Sequence, residues 1–373
     1  MAAFHVRAVL LPDGQDPTEL WVDQGRITFS PVPDAEELPG RFAAPGLVDA
    51  HIHLSLDFSG TGLPHGCREL VHENLSRLRR AGVLAVRDAG YAQQLDLDDI
   101  ELPRSPVVLR SGWLTTPEGR FFPTERSGGL TVAKHTAAED LISRVEEVAA
   151  AELPWCKIIA DFPGADLNLF TAPPNYPIEV LDEAVRRAHE LGVKVMTHTT
   201  GAFVSELVAA GVDAIEHGMG VTTDVVQAMA QHDTIWVPTL ASVENYLKTV
   251  ESAGAPTEPR EQWSARMTEC LSLAMRIGVA VLVGSDELPH GHIVGEMQAM
   301  ARHGMTAEQV VQAATTLGRA RLGLPGLGEG QPADLVLFNQ DPRDDLDEIG
   351  RPVAVVAGGE LVADTESSHG AMP

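Results

Sequence analysis

The chain is poor in cysteine. Cys67, Cys156 and Cys270 are the only three in 373 residues, an odd number at wide spacing. That pattern excludes a disulfide framework and fits reduced thiols in a reducing compartment. Long apolar runs are also missing: none approaches the ~20 residues that a membrane-spanning helix needs. The opening residues, Met-Ala-Ala-Phe-His-Val-Arg-Ala, lack a basic flank followed by a long apolar stretch and a small-residue cleavage site. No signal peptide is therefore expected. Positive charge is scarce, with 27 Lys plus Arg against 53 Asp plus Glu and a formal net charge of −26. Such a field repels polyphosphate and anionic lipid, which argues against nucleic-acid binding and against a membrane-docking surface. The expectation is a soluble cytoplasmic protein with a small-molecule substrate, with assembly into a homo-oligomer left open.

What is present is a globular composition, 44% hydrophobic and 21% charged, which supplies enough apolar surface for a packed core. From Phe4 to about Phe42, short β-type runs (Val6 to Leu11, Leu20 to Val22, Ile27 to Phe29) are broken by Pro, Asp and Gly, the chemistry of antiparallel strands and turns. From Pro45 onward the pattern changes to short apolar runs separated by longer amphipathic stretches. The runs are Leu47 to Ile52, Val83 to Arg87, Val107 to Leu109, Trp155 to Ile159, Val193 to Met196, Ala214 to Ile215, Ile235 to Val237 and Val279 to Val283. Among the stretches between them, Arg68 to Arg80, Ala137 to Ala150, Ile178 to Leu191 and Trp263 to Arg276 repeat apolar residues at helical spacing.

Strand and helix alternating roughly eight times is the pattern of a (β/α)8 TIM barrel. A doubly wound sheet is the rival, but no Gly-x-Gly-x-x-Gly follows the first strand. From Gly328 the chain returns to β and turn character. Residues 45–327 are thus expected to form the metal-binding barrel, and residues 1–44 with 328–373 a small composite β-sandwich domain.

Polar residues stand where the barrel strands end. His51-Ile52-His53 closes the first strand, and side chains at i and i+2 share a face. An HxH pair by itself is as readily a satisfied polar cluster. Four further strands add Lys157, His198, His217 and Asp286, each following or interrupting an apolar run at the end where such barrels place their chemistry. Imidazoles and a carboxylate together suit Zn2+ with an open position for water. A lysine ammonium cannot ligate a cation, so Lys157 contributes only as the neutral amine or as a carbamate, whose two oxygens can bridge two ions. The plain alternative for Lys157 is a side chain reaching from the strand end to a surface ion pair. Asp286 is the candidate for moving the proton from attacking water to leaving nitrogen.

Several segments carry a resemblance. Pro45-Gly-Leu-Val-Asp-Ala-His-Ile-His, Val86-Arg-Asp-Ala-Gly, Ile215-Glu-His-Gly, Gly284-Ser-Asp with Pro289-His-Gly, and Gly330-Gln-Pro-Ala-Asp-Leu-Val resemble the amidohydrolase superfamily of metal-dependent hydrolases. Trp155-Cys-Lys-Ile-Ile is most similar to its prolidase-like and imidazolonepropionase-like branch. The resemblance implies His51, His53, Lys157, His198, His217 and Asp286 as ligands of two zinc ions, with Lys157 carboxylated. It also implies a substrate contact by His290. Arg120 and Tyr91 are weaker substrate-contact candidates, because Arg120 stands where relatives often have Gly-His and Tyr91 could equally pack under a loop. His65, His72 and His292 fit no ligand position. Glu216 is expected to point away from the metals and Cys156 to face outward as a packed thiol.

The expected reaction is hydrolysis of a carbon–nitrogen amide bond, in a linear N-acyl compound or dipeptide or in a cyclic amide. A one-metal deaminase of the same fold is the runner-up. Such deaminases carry a glutamate three residues after the fifth-strand histidine, where this chain has Thr199-Thr200-Gly201. A non-catalytic binding module of the same fold is the third reading, and such proteins usually lose ligands.

Overall fold

The computed structural model describes residues 2–56, 66–90, 106–121, 133–163, 168–252, 254, 258–286 and 290–362. The two ends of the chain meet in one eight-stranded sheet. Phe4–Leu10 pairs antiparallel with Pro17–Asp23, which pairs with Arg26–Thr28. On its other side Phe4–Leu10 runs parallel to Phe42–Pro45, and that strand is antiparallel to Leu335–Phe338. Ala354–Ala357 and Glu360–Leu361 complete that edge, and Glu36–Glu37 pairs with Phe4–Leu10 off the main path. Period-two alternation decides the packing. Leu335 and Leu337 join Val6, Ala8 and Leu20 in a small core of their own, whereas Val336 and Phe338 point into the main core. Arg319 ties this sheet to the rest, donating to the Gly46 carbonyl at 3.0 Å and to Asp334 at 3.4 Å.

The centre of the chain forms two parallel sheets. One has three strands, Leu47–Ile52, Val83–Asp88 and Val107–Arg110. The other has six, ordered Ala133–His135, Leu114–Thr116, Trp155–Ile159, Lys194–Thr199, Ala214–His217 and Ile235–Val237. They are linked at two places. Residues 111–113 carry the chain from Val107–Arg110 directly into Leu114–Thr116. At the other edge, Trp236 forms a parallel bridge with Val281, and Ala50 N–H donates to the Val283 carbonyl at 2.8 Å. The run Val279 to Val283, read as a strand, thus forms only a single bridge, although its carbonyls and amides still join its neighbours.

Helices cover the outside because their apolar residues recur every three or four positions. Arg68–Arg80 buries Leu70, Val71, Leu75 and Leu78, and Ile178–Glu190 buries Leu181, Ala184, Val185 and Ala188. The stretch expected from Ala137 opens instead as a short 3-10 turn, with the α-helix running Leu141–Ala150. Inside the parallel strands lies a cluster of Val48, Ala50, Ala85, Trp155, Met196, Ala214 and Leu282. Small residues there let the strands approach closely. Among the described residues, no helix is long and apolar enough to cross a membrane.

Candidate metal centre

His51 and His53 owe their placement to an irregular strand. The ladder between Leu47–Ile52 and Val83–Asp88 shifts register between Asp49 and Ile52. Val48 and Ala50 pack in the inner cluster, yet Leu47 and Ile52 both pack against the outer helices, so the alternation changes phase along the strand. His51 therefore joins His53 on the inner side, with ring centroids 5.4 Å apart. Each ring has one nitrogen already engaged: His51 Nδ1 lies 2.5 Å from Glu216 Oε2, and His53 Nδ1 lies 2.8 Å from the Gly90 carbonyl. Both Nε2 atoms face the same oxygen, Asp286 Oδ1, at 3.7 Å.

Three left-handed residues build the opposite wall. His217, Thr239 and Asp286 have φ of 65°, 47° and 45°, values that non-glycine residues, and β-branched threonine above all, adopt only under constraint. They hold one another: His217 Nδ1 is 2.7 Å from Thr239 Oγ1 and 3.9 Å from Asp286 Oδ2. The His217 ring is 5.0 Å from that of His51 and 4.5 Å from that of His198. Asp286 is anchored through its own N–H to the His51 carbonyl, and Asp49 accepts from Ser285 N at 3.0 Å and from Ser285 Oγ at 2.6 Å. Beyond His198, Asp161 accepts from the hydroxyl of Thr199 and from the amide and hydroxyl of Thr200. That carboxylate fixes the turn following the histidine.

Burial sets the charge state of the cluster. It is the main force pulling His53 down to about 4 and His198 down to about 3, and holding His51 and His217 well below their ordinary value. Neutral imidazoles have lone pairs to donate. Burial also pulls Lys157 down to about 8 and pushes Asp286 up to about 7. Lys157 is 1% exposed, which removes the reading of a lysine in a surface ion pair. Among the described residues, its Nζ and the Nε2 of His198 are buried without a hydrogen-bond partner. Buried polar atoms so placed cost free energy unless a partner satisfies them. Ligand atoms of His51, His217 and Asp286 lie within 4.8 Å of one another. The donor set of neutral nitrogens and a carboxylate oxygen fits a divalent ion such as zinc.

The remaining candidates divide. His290 is buried, with Nε2 at 3.1 Å from the His53 carbonyl, beside the cluster. Arg120 directs its guanidinium to Asn175 Oδ1 at 2.9 Å and the Pro173 carbonyl at 3.0 Å, binding two loops together. Tyr91 and His65 lie outside the described residues. Cys156 is packed in the outer core, its thiol pushed by burial to about 11. Glu216 corrects the expectation made for it: it hydrogen-bonds His51 and Arg87. Strict alternation fails here because the neighbouring His217 leaves β geometry, so both side chains serve the same side. Sequence reading also passed over Arg87, Asp49, Asp161 and Thr239. The only signal was their charge or hydroxyl within or beside apolar runs.

Residues 42–362 match the Amidohydrolase family. An uncharacterized protein of Mycobacterium tuberculosis is 34% identical over 368 residues, covering 95% of this chain and 94% of its own. A Xaa-Pro dipeptidase crystallised with methionine in its active site superposes with a TM-score of 0.77 at 20% identity, covering 97% of this chain and 100% of its own. The A. niger ochratoxinase gives a TM-score of 0.78 at 20% identity, with 96% and 95% covered. The match over most of its length makes this chain a member of the amidohydrolase family and a hydrolase of carbon–nitrogen bonds.

Proposed function

We propose that the protein is a metal-dependent amidohydrolase that cleaves an amide bond, either in a linear N-acyl compound or dipeptide or in a cyclic amide. The observation that carries this reading is the approach of His51, His217 and Asp286 to within 4.8 Å. His53, His198 and the buried amine of Lys157 complete the ligand set. Two zinc ions are the proposed cofactors, and when bound they supply Lewis acidity and make water a stronger acid. Lys157 serves as a carbamate, formed when the neutral amine takes up carbon dioxide and releases a proton. Asp286 accepts a proton as water attacks and returns it to the leaving nitrogen. His290 contacts the substrate from beside His53, supported by its 3.1 Å approach to the His53 carbonyl.

The scaffold of this reading is a (β/α)8 barrel over residues 45–327, with residues 1–44 and 328–373 forming a second, composite domain. The parallel ladders and the Trp236–Val281 bridge support the barrel. The three free cysteines support a reducing compartment and hence the cytoplasm. The test is a screen of zinc-loaded protein against N-acyl amino acids, dipeptides and lactams. Release of amine or carboxylate from one of these classes is the expected result. Zinc-loaded protein that hydrolyses none of them, yet deaminates an amine, would replace the amidase reading with the deaminase one.

A further inference from the structure

Under the metal centre lies a charged network that the proposed reaction does not use. Arg87 is fully buried on Val83–Asp88, with its guanidinium carbon 4.5 Å from the centre of the Trp155 ring. Its Nε donates to the Ala50 carbonyl at 2.8 Å, one residue before His51. Its Nη2 donates to Glu216 Oε1 at 2.6 Å, and the other oxygen of that carboxylate lies 2.5 Å from His51 Nδ1. A buried ion pair is costly unless its geometry is held on several sides. Here one cation grips both the backbone leading into His51 and the carboxylate beneath its ring.

We propose that Glu216, oriented by Arg87, is a positioning residue that fixes the tautomer of His51. A carboxylate offers only lone pairs, and a guanidinium only N–H groups. With Oε1 accepting from Arg87, Oε2 must accept from His51, so the imidazole proton sits on Nδ1. Nε2 is thereby left as a bare lone pair facing Asp286 Oδ1, 3.7 Å away. Among the described residues, Glu216 is the hydrogen-bond partner of that ring, Asp286 Oδ1 standing beyond hydrogen-bond distance. This rests on the metal reading above only in what the lone pair is for.

Glu216→Gln gives a sharp test because the shapes match and the donor pattern does not. Arg87 can only donate, so the new amide must turn its oxygen toward Arg87 and its NH2 toward His51 Nδ1. His51 then has to accept at Nδ1 and carry its proton on Nε2. Imidazole 15N shifts of metal-free protein report the tautomer directly. The expected result is an Nδ1–H His51 in wild-type protein and an Nε2–H His51 in Glu216→Gln. Zinc affinity, measured by competition with a chromophoric chelator, should then fall about tenfold to a hundredfold, the scale on which metal sites respond to such outer partners. An Nε2–H His51 in wild-type protein overturns the proposal, and that measurement needs no variant to fold. So does a Glu216→Gln protein with an unchanged tautomer. Wild-type protein that shows the Nδ1–H tautomer yet binds no divalent ion would instead refute the metal reading and leave the positioning intact.

Discussion

Asp286 reaches His51 twice: its N–H donates to the His51 carbonyl at 2.9 Å, and its Oδ1 stands 3.7 Å from His51 Nε2. The first contact fixes the backbone of the residue that the second brings to the cluster. Asp286 is thus held against the first strand by the main chain, and its carboxylate, which accepts from Ser242 Oγ at 3.4 Å, faces the histidine cluster. Replacing that carboxylate by an amide removes the proposed proton shuttle while keeping the shape. Asp286→Asn should fold and keep most of its metal, yet turn over about a hundredfold slower or worse. Turnover near wild type in steady-state assays would remove Asp286 from the mechanism.

Lys157 bears on the number of metals. If its amine is carboxylated, Lys157→Ala should lose one metal equivalent and most activity, and Lys157→Glu should recover part of both by restoring an anion. Bicarbonate should speed reconstitution of metal-free wild-type protein. Lys157→Ala protein that holds two ions and works normally would contradict the bridging role.

Gly284 leaves room for the first histidine. A Cβ at this position would sit 2.3 Å from Val237 Cγ1 and 2.8 Å from His51 Cβ, closer than packed atoms approach. Gly284→Ala should therefore cost about 1–3 kcal/mol in chemical denaturation, as overpacked cores do, and weaken metal binding by displacing His51. Unchanged stability with unchanged metal affinity would show that the strands give way freely.

Away from the centre, one carboxylate couples stability to pH. The hydrogen bond with His303, and then the charge of Arg302, hold Glu244 below its ordinary value of 4.5. A depressed pKa contributes stability that is fully present above the ordinary value and is lost as pH falls through the depressed one. Wild-type protein should therefore lose more stability between pH 7 and the acid side of 4.5 than Glu244→Gln does. Parallel losses in the two proteins, followed by denaturant unfolding, would contradict this.

The sequence exposed those features that depend on one local signal. His51, His53, His198, His217 and Asp286 stood out because each breaks or ends an apolar run, and the structure gathers all five within a few ring widths. Arg68–Arg80 was legible because its apolar spacing is helical. Leu114–Thr116 and Ala133–His135 were not, since Leu-Thr-Thr and Ala-Lys-His carry no apolar run and owe their β geometry to pairing with distant strands. The direction of Glu216 was misread for a related reason. Alternation predicts facing only while β geometry persists, and the positive φ of His217 is imposed by tertiary contacts with Thr239 and Asp286.

Elemental analysis of protein purified without chelator shows directly whether this cluster holds metal. About one to two equivalents of a divalent ion per chain are expected from the size of the ligand set, lost together with activity on chelation and regained together with zinc. Protein free of metal that keeps full hydrolytic activity would contradict it.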